Sequence, residues 1–489
     1  MRSIARRAVF FLALASTAAP TRPAAAQGWE NVPTGARTAA MGGAAVATGR
    51  DAAMPTVNPA GIGLVPATTL SLSASLYHLG TVTVPHFYAD GATIDEATYG
   101  QLKVSQQGVA SQQYSSVPSS MAFFYVPESR SYAVALALNM PRDIQRRFVE
   151  QADFTGNGLA DRERATTLFD ERQYQIALSY AQNLGARLRW GASLVVGATL
   201  HTESVAGSSI FVGGNNGFGR VDRDSTVQGR SIDGTLVLGV QGGSVDDGFA
   251  YGVAVRAPSI HLNGKLTTSD DFLTAGTYIT SSSELFTVNG DFRSQLPLRL
   301  AAGVAYTIKD RFGVALDVTV YLPRASEMRW SGESTYSIVG GSGAGLAASS
   351  TESYERDIPT AKAVNVALGF ETLIGEDRWL RVGVFNDGSY LAKPAAGQEE
   401  LFSFPFSSYG ASLGLGTILG PVDTTVGVRG TYGSGKTGRY VPTRRFTPDY
   451  SAVESTSASS WDFMAFVSAA IDSAADRKAA ERLLGQEKK

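Results

Sequence analysis

The sequence predicts an all-β protein, a 14-stranded antiparallel transmembrane β-barrel closed by an N-terminal hatch. Three observations carry this. Segments of about 9–12 residues alternate apolar with small or polar side chains, the period of a strand with two unlike faces. The connections between them alternate short and long, the pattern of outer-membrane barrels with tight turns on one side and loops on the other. The N-terminus reads as an export signal, and no later stretch is long and apolar enough for a membrane helix.

Residues 1–26 are expected to be a cleaved signal peptide. Arg2, Arg6 and Arg7 precede the apolar run Ala8–Ala15, and Ala24-Ala25-Ala26 offers a small-residue cleavage site before Gln27. The chain has 0 cysteines, which excludes a disulfide framework and thiolate metal sites. Its formal net charge of −2 gives no basic footprint for nucleic acid.

Residues 27–66 are assigned to the hatch. Gly35–Val65 is rich in Gly and Ala, nearly uncharged, and ends on Asn58-Pro59-Ala60-Gly61. It is too apolar for a solvated linker and too Gly-rich for a long helix or a core strand, so it reads as a plug inside something larger. In the NPAG turn, Pro59 fixes φ, Asn58 can bond its own turn, and Gly61 releases the chain. These residues are either a latch whose movement opens the pore or simply the turn that starts the barrel.

Residues 67–471 are assigned to the barrel. The alternating segments are Thr68–His78, Ser119–Val126, Tyr132–Met140, Gln173–Asn183, Arg187–Thr202, Gly229–Val240 and Phe249–Leu266. They continue with Leu296–Ile308, Phe312–Leu322, Ala363–Leu373, Trp379–Asp387, Tyr409–Thr417, Val422–Tyr432 and Ser460–Ala470. Short turns are expected at Glu128–Arg130, Leu184–Ala186, Ser244–Asp247, Lys309–Arg311, Gly375–Arg378 and Leu419–Pro421. Long polar connections, including Leu79–Val117, Pro141–Glu171 and Pro323–Lys362, are expected to be loops. In Leu298–Ile308 the face Leu298, Leu300, Ala302, Val304, Tyr306 should meet lipid, and Arg299, Ala301, Gly303, Ala305 the lumen. Residues 472–489 form a charged, Ala/Leu-rich periplasmic tail.

The hatch sequence GARTAAMGGAAVATGRDAAMPTVNPAGI resembles that of the FadL family of outer-membrane transporters. So do GVAVRAPSIHLNGKL (252–266), LPLRLAAGVAYTIKDRFGVALDVTVY (296–321) and DRWLRVGVFNDGS (377–389), in the same order. The resemblance implies a Gram-negative outer-membrane barrel set in outer-membrane lipid, without catalysis or cofactor, and a monomer is expected. It implies diffusion-driven uptake of a long-chain fatty acid or other hydrophobic small molecule, gated by the hatch and released through a gap in the wall. The chain departs from the usual pattern in continuing beyond its last strand, whose aromatic end is supplied by Trp461, Phe463 and Phe466. The hatch also resembles that of PorV-type barrels, which act in protein secretion, so a protein-binding secretion or structural role is the alternative.

Parity places Arg189, Arg256, Arg299, Arg381 and Arg429 on the lumen side, with Asp233, Asp317, Glu371 and Asp423. An arginine fork can hold a carboxylate head group, or it can brace the wall in an ion pair. Arg256, Arg299, Arg381 and Arg429 are the ligand candidates. Phe402, Phe404 and Phe406, late in a long loop, are either a hydrophobic landing patch or part of an aromatic girdle.

Two motif matches lead elsewhere and are set aside. Gly430–Thr437 fits the phosphate-loop pattern, but Gly-Arg-Tyr-Val-Pro follows where a helix must present its amides. Asp153–Gly158 begins like a calcium loop, yet Arg164 stands where a bidentate acid is required. The histidines, at 78, 86, 201 and 261, show no metal-ligand or triad spacing, so neither a metal site nor an enzyme is expected.

Overall fold

The structure is a computed structural model. It describes residues 34–84, 93–96, 100–106, 109–156, 159–212, 218–276, 282–309, 311–340, 348–375, 377–389, 407–419, 422–440 and 453–472. The signal-peptide and most of the tail assignments lie outside the described residues, as do Phe402, Phe404 and Phe406.

Fourteen antiparallel staves form one closed sheet. The first six are β1 (Thr69–Val84), β2 (Val109–Tyr125), β3 (Tyr132–Gly156), β4 (Leu159–Asn183), β5 (Leu188–Val212) and β6 (Phe218–Gly243). The next four are each split in two. They are β7 (Gly248–Arg256 and Ile260–Gly276), β8 (Ser282–Ser294 and Arg299–Ile308), β9 (Phe312–Tyr321 and Met328–Gly340) and β10 (Ala348–Ile358 and Ala363–Leu373). The wall is completed by β11 (Arg378–Asp387), β12 (Ser407–Leu419), β13 (Val422–Tyr440) and β14 (Val453–Asp472). Pairing of Thr69 with Asp472 through Thr83 with Ser459 closes the ring. Closure leaves the barrel wall without the free edges that a membrane would not tolerate.

Each of the fourteen alternating segments falls on one stave. The side-chain pattern is inverted relative to a soluble protein. Leu136, Leu178, Leu194 and Leu238 point outward and are 55%, 56%, 56% and 48% exposed, whereas Ala133, Ala135 and Ala137 are buried against the lumen. Ala301 and Ala305 are likewise buried while Leu300, Val304 and Tyr306 are exposed, the faces expected from sequence. A continuous apolar outer band on a closed barrel is a membrane-facing surface.

The long connections differ from expectation. Pro141–Glu171 is almost wholly strand, paired from Arg142/Gln173 to Gly156/Leu159. Much of Leu79–Val117 and of Pro323–Lys362 is also paired. A 25-residue strand such as β3 spans about 80 Å, whereas the hydrocarbon layer needs about 9–11 residues of it. Beyond the lipid the outward face need not be apolar, so hydrophobic alternation disappears while the backbone ladder continues.

The expected strand Phe249–Leu266 is in fact broken at residues 257–259, and the three staves that follow it, β8 to β10, break at the same level. The four breaks contain Pro258, Pro297, Pro323 and Pro359. Proline has no N–H to give a ladder, so it sits at strand ends and bulges. Two more prolines, Pro118 and Pro141, stand at register irregularities in β2 and β3.

Candidate functional site

The N-terminal segment lies inside the barrel at the short-turn end. It comprises α1 (Ala36–Ala40), α2 (Met54–Val57) and a 3-10 turn at Pro59–Leu64. These pieces are too short to persist alone; the wall holds them. Inward glycines make the fit possible, because a Cβ at Gly191 would strike Pro59, at Gly239 Asn58, at Gly252 Val46, at Gly383 Gly42, and at Gly414 Ala40. Gly42 itself adopts φ 69°, a left-handed conformation that favours glycine.

Polar contacts fix the same segment. Asn58 is fully buried; its Nδ2 donates to Val46 O at 2.8 Å and to Val240 O at 3.3 Å, and its Oδ1 accepts from Ala60 N at 3.2 Å. Asp317 Oδ2 accepts from Ala45 N at 2.6 Å and Val46 N at 2.7 Å. Arg37 grips Glu371 with both fork arms, Nη2 to Oε1 at 2.5 Å and Nε to Oε2 at 3.1 Å, and also donates to Thr48 O at 3.1 Å. Burial disfavours the Arg37 charge, but the adjacent Glu371 more than offsets it and raises its pKa above the ordinary arginine value. Asp51 accepts from Thr38 N at 2.8 Å and Thr38 Oγ1 at 2.9 Å, folding the segment on itself.

The four candidate arginines have different environments. Arg299 Nη2 donates to Thr56 O at 2.5 Å and Val57 O at 3.1 Å, so it holds the plug. Arg381 donates to Glu371 at 3.2 Å and Thr425 Oγ1 at 3.0 Å, sharing the carboxylate that holds Arg37. Arg256 is buried with its guanidinium 6.0 Å from the Tyr321 ring centre, and Arg429 lies 4.1 Å over Phe385. The candidates therefore do not converge on one head-group site; two of them belong to the plug and its anchor. Of the remaining lumen charges, Arg189 and Asp233 are buried and Asp423 is exposed.

Further up the lumen is a second cluster, largely missed by the sequence reading. Arg142 Nη1 lies 2.9 Å from Glu171 and 3.7 Å from Glu327, and His201 Nδ1 is 3.6 Å from Glu171. Around them Phe292 and Trp330 lie 5.4 Å apart, His201 is 5.6 Å from each, and Arg356 stacks 4.7 Å over Trp330. Arg142, Glu171, His201, Phe292, Glu327 and Trp330 are all buried. The cluster pairs charges in an apolar surround, where each needs its partner.

Beside this cluster the backbone ladder of the wall is interrupted along one seam. β2 and β3 share a ladder only from Ser120/Asn139 to Tyr125/Val134. Above it, side chains bridge the strands instead: Gln113 Nε2 donates to Asp143 O at 3.2 Å, Gln145 N to Gln113 Oε1 at 3.1 Å, and Arg147 N to Ser111 Oγ at 2.7 Å. The bulge at Pro141 that starts this seam also turns Arg142 inward.

The motifs set aside fit no ligand chemistry here. Gly430–Thr437 runs within strand β13, and Asp153 pairs with Arg162 at 2.8 Å. Among the described residues there is no cluster of three or more metal-ligating side chains.

Fold and lumen together define a membrane barrel that encloses its N-terminal segment and whose backbone ladder is interrupted at one seam. No protein-family profile and no curated protein sequence matches the chain. Among solved structures it is similar to a FadL homologue from Pseudomonas aeruginosa, with 13% identity over 91% of this chain and 100% of that one, and a TM-score of 0.58. It is also similar to the Pseudomonas putida toluene transporter TodX, with 12% identity over 91% and 100% and a TM-score of 0.50. A TodX deltaS2S3 mutant, described as a monoaromatic hydrocarbon channel, aligns at 13% identity over 90% and 98% with a TM-score of 0.52. The chain has the fold of FadL-type outer-membrane barrels.

Proposed function

We propose that the protein is an outer-membrane channel for passive uptake of hydrophobic small molecules, long-chain fatty acids among them, with residues 34–65 as its gate. The observation that carries this is the coincidence of a lumen filled by the N-terminal segment with a wall seam where side-chain bonds replace the β2–β3 ladder. A soluble cargo needs an open axial pore. A hydrophobic one is better served by a blocked axis and a sideways exit into lipid, because burial of its apolar surface is never interrupted. The solved barrels of like fold, a FadL homologue and a toluene transporter, support the same reading.

In this mechanism the ligand enters from the long-loop end and meets the Phe292–Trp330 cluster. Asn58, Pro59, Ala60 and Gly61 form the buried hinge of the gate. Displacing the Asn58 turn would leave Val46 O held by Gln241 alone and loosen the segment that Asp317 and Arg299 grip. The ligand would then leave between β2 and β3 as Gln113 and Ser111 give way.

The test uses the absence of native cysteine. A Ser111→Cys/Arg147→Cys pair, oxidised across the seam, is expected to retain oleate binding, read by native mass spectrometry, while abolishing oleate transfer into vesicles. Reduction restores transfer. Transfer unaffected by the crosslink rejects the seam as the exit. Failure of wild type to bind oleate or toluene rejects the channel reading and favours a protein-binding secretion or structural barrel.

A further inference from the structure

Just above the apolar outer band, the wall carries a pair of cations that the lumen reading does not use. On β6 the outward residues Ile232, Leu236, Leu238 and Val240 are exposed. They run over about the 9–11 residues of strand that cross the hydrocarbon layer. The next outward position towards the long loops is Arg230, exposed between the buried Gly229 and Ser231. On β7 the exposed apolar residues Ile260 and Leu262 are followed by Lys265, exposed beside the fully buried Leu266. Register pairs Lys265 directly with Arg230. The two cations therefore stand on neighbouring strands, about 4.8 Å apart along the ladder, where hydrocarbon gives way to the polar layer.

Like charges directly opposite each other in a sheet destabilise it, and the low-dielectric layer beneath this pair screens them less than water would. Other cations of the upper wall have carboxylates of their own. Arg172 Nη2 lies 3.0 Å from Asp170, Arg223 Nη2 2.6 Å from Asp270, and Arg293 Nε 2.7 Å from Asp291. Asp291, on the neighbouring half of β8, is also 3.2 Å from His261. Among the described residues, Arg230 and Lys265 have no such partner. Their outward neighbours are neutral hydrogen-bonding groups: Gln228 and Thr267, paired one step further up, and Asn263 below Lys265. The pair is a cationic seat with a polar rim above and apolar side chains below, and its counter-charge comes from outside the chain.

We infer that Arg230 and Lys265 together bind one phosphate of the phosphorylated glucosamine lipid (lipid A) of the outer leaflet, whose acyl chains lie against Ile232, Ile260 and Leu262. Three features select this occupant. The pair is at the long-loop boundary, which in an outer-membrane barrel is the outer leaflet. A phosphate monoester carries about −1.5 to −2 charges at neutral pH, matching two adjacent cations better than the single charge of a phosphodiester. Its oxygens can accept from an arginine fork and a lysine ammonium at once. The apolar strip directly below calls for a hydrocarbon chain on the same molecule, which a free anion lacks. The inference rests on the membrane-facing barrel alone and holds whatever the lumen carries.

The experiment is native mass spectrometry of the full chain in detergent, with equal amounts of diphosphoryl lipid A, its dephosphorylated form and dioleoyl phosphatidylglycerol. Wild type is expected to retain one diphosphoryl lipid A at activation energies that strip the detergent, in preference to both competitors. The double variant Arg230→Gln/Lys265→Gln should lower the retained fraction about tenfold or more, since two charge-assisted contacts are lost. Arg220→Gln removes an outward cation farther up β6 that lies 2.7 Å from Asp222, and should leave retention unchanged. Heat-modifiable gel migration checks that every variant is folded, and Lys265→Gln alone serves if the double variant is not. Equal retention in wild type and the variant overturns the site. Equal retention of the dephosphorylated form overturns phosphate recognition, and equal retention of phosphatidylglycerol overturns the choice of glycolipid. Displacement of lipid A by an equal concentration of inorganic phosphate would make the pair a free-anion site instead.

Discussion

Two quarters of the same wall are held by different means. From β3 to β6 the strands are 25 or 26 residues long and their ladders run almost from end to end, as between Asn183/Arg189 and Ala160/Val212. From β7 to β10 every strand stops at a proline and restarts. There the join depends on a few side chains. Arg324 alone donates to Ser259 O at 3.0 Å, Leu296 O at 3.2 Å and Gln295 Oε1 at 2.8 Å, and Thr360 Oγ1 accepts from its backbone at 2.5 Å. Stability is spread over many equivalent bonds in the first quarter and concentrated in few in the second.

The plug shows the same division. The continuous quarter receives it through shape and neutral groups: Gly191 and Gly239, Asn183 donating to Gly63 O at 3.3 Å, and Gln241 donating to Val46 O at 3.0 Å. The broken quarter and its neighbour β11 supply charges, namely Arg299, Asp317, Glu371 and Arg381. A neutral fit is insensitive to ionic change, whereas a charged anchor can be released by altering one partner.

Four substitutions test this contrast. The largest effect is expected from Leu194→Pro in β5, which removes a ladder bond in the middle of a continuous strand; it should prevent the barrel from forming and so abolish heat-modifiable migration. Comparable tolerance to that at Pro258 would end the distinction. Next is Glu371→Gln, which leaves Arg37 and Arg381 buried without their carboxylate. Loss of about 3–5 kcal/mol, read as a lower urea midpoint in vesicles, should accompany protease access to residues 34–65. Arg324→Ala should cost roughly 2–3 kcal/mol by removing charge-assisted bonds, with hydrogen exchange rising at residues 257–259 and 295–298. Exchange rising equally in β5 would mean the quarters are not separable. Smallest is Pro297→Ala, expected within about 1 kcal/mol because the break is already stitched around it. A large loss there would mean that the proline itself holds the geometry.

The sequence made the wall legible because lipid enforces alternation. Leu300, Val304 and Tyr306 on one side and Ala301, Gly303 and Ala305 on the other could be assigned without coordinates. It hid the upper cluster for two reasons. Glu171, Glu327 and Trp330 lie near or beyond the ends of the alternating segments. The bulge near Pro141 also reverses phase, since Ala137 and Asn139 face inward before it and Arg142, Ile144 and Phe148 after it. The same reversal carries β1 from Ser75 to His78. Parity counted across an unrecognised bulge assigns every later residue to the wrong face. Lumen position was correctly read for Arg299 and Arg381, but the hold of Arg299 on Thr56, 243 residues away, could not be read from sequence, whereas Glu371 lies only 10 residues from Arg381 across a short turn.

The contact between Ser412 Oγ and Ala40 O, at 2.9 Å, joins residues 372 apart. Ala40 belongs to the part of the chain synthesised first, and β12 is among the last staves made. The plug must therefore wait unfolded while its receptor is completed, then be enclosed by strands that need its presence to fill their glycine-lined interior. Such long-range closure is inherently slow, and during the wait an apolar, almost uncharged segment is exposed to water. Correct biogenesis thus depends on holding the N-terminal segment soluble until the last staves arrive, a demand placed on the cell by the position of thirty residues in the chain.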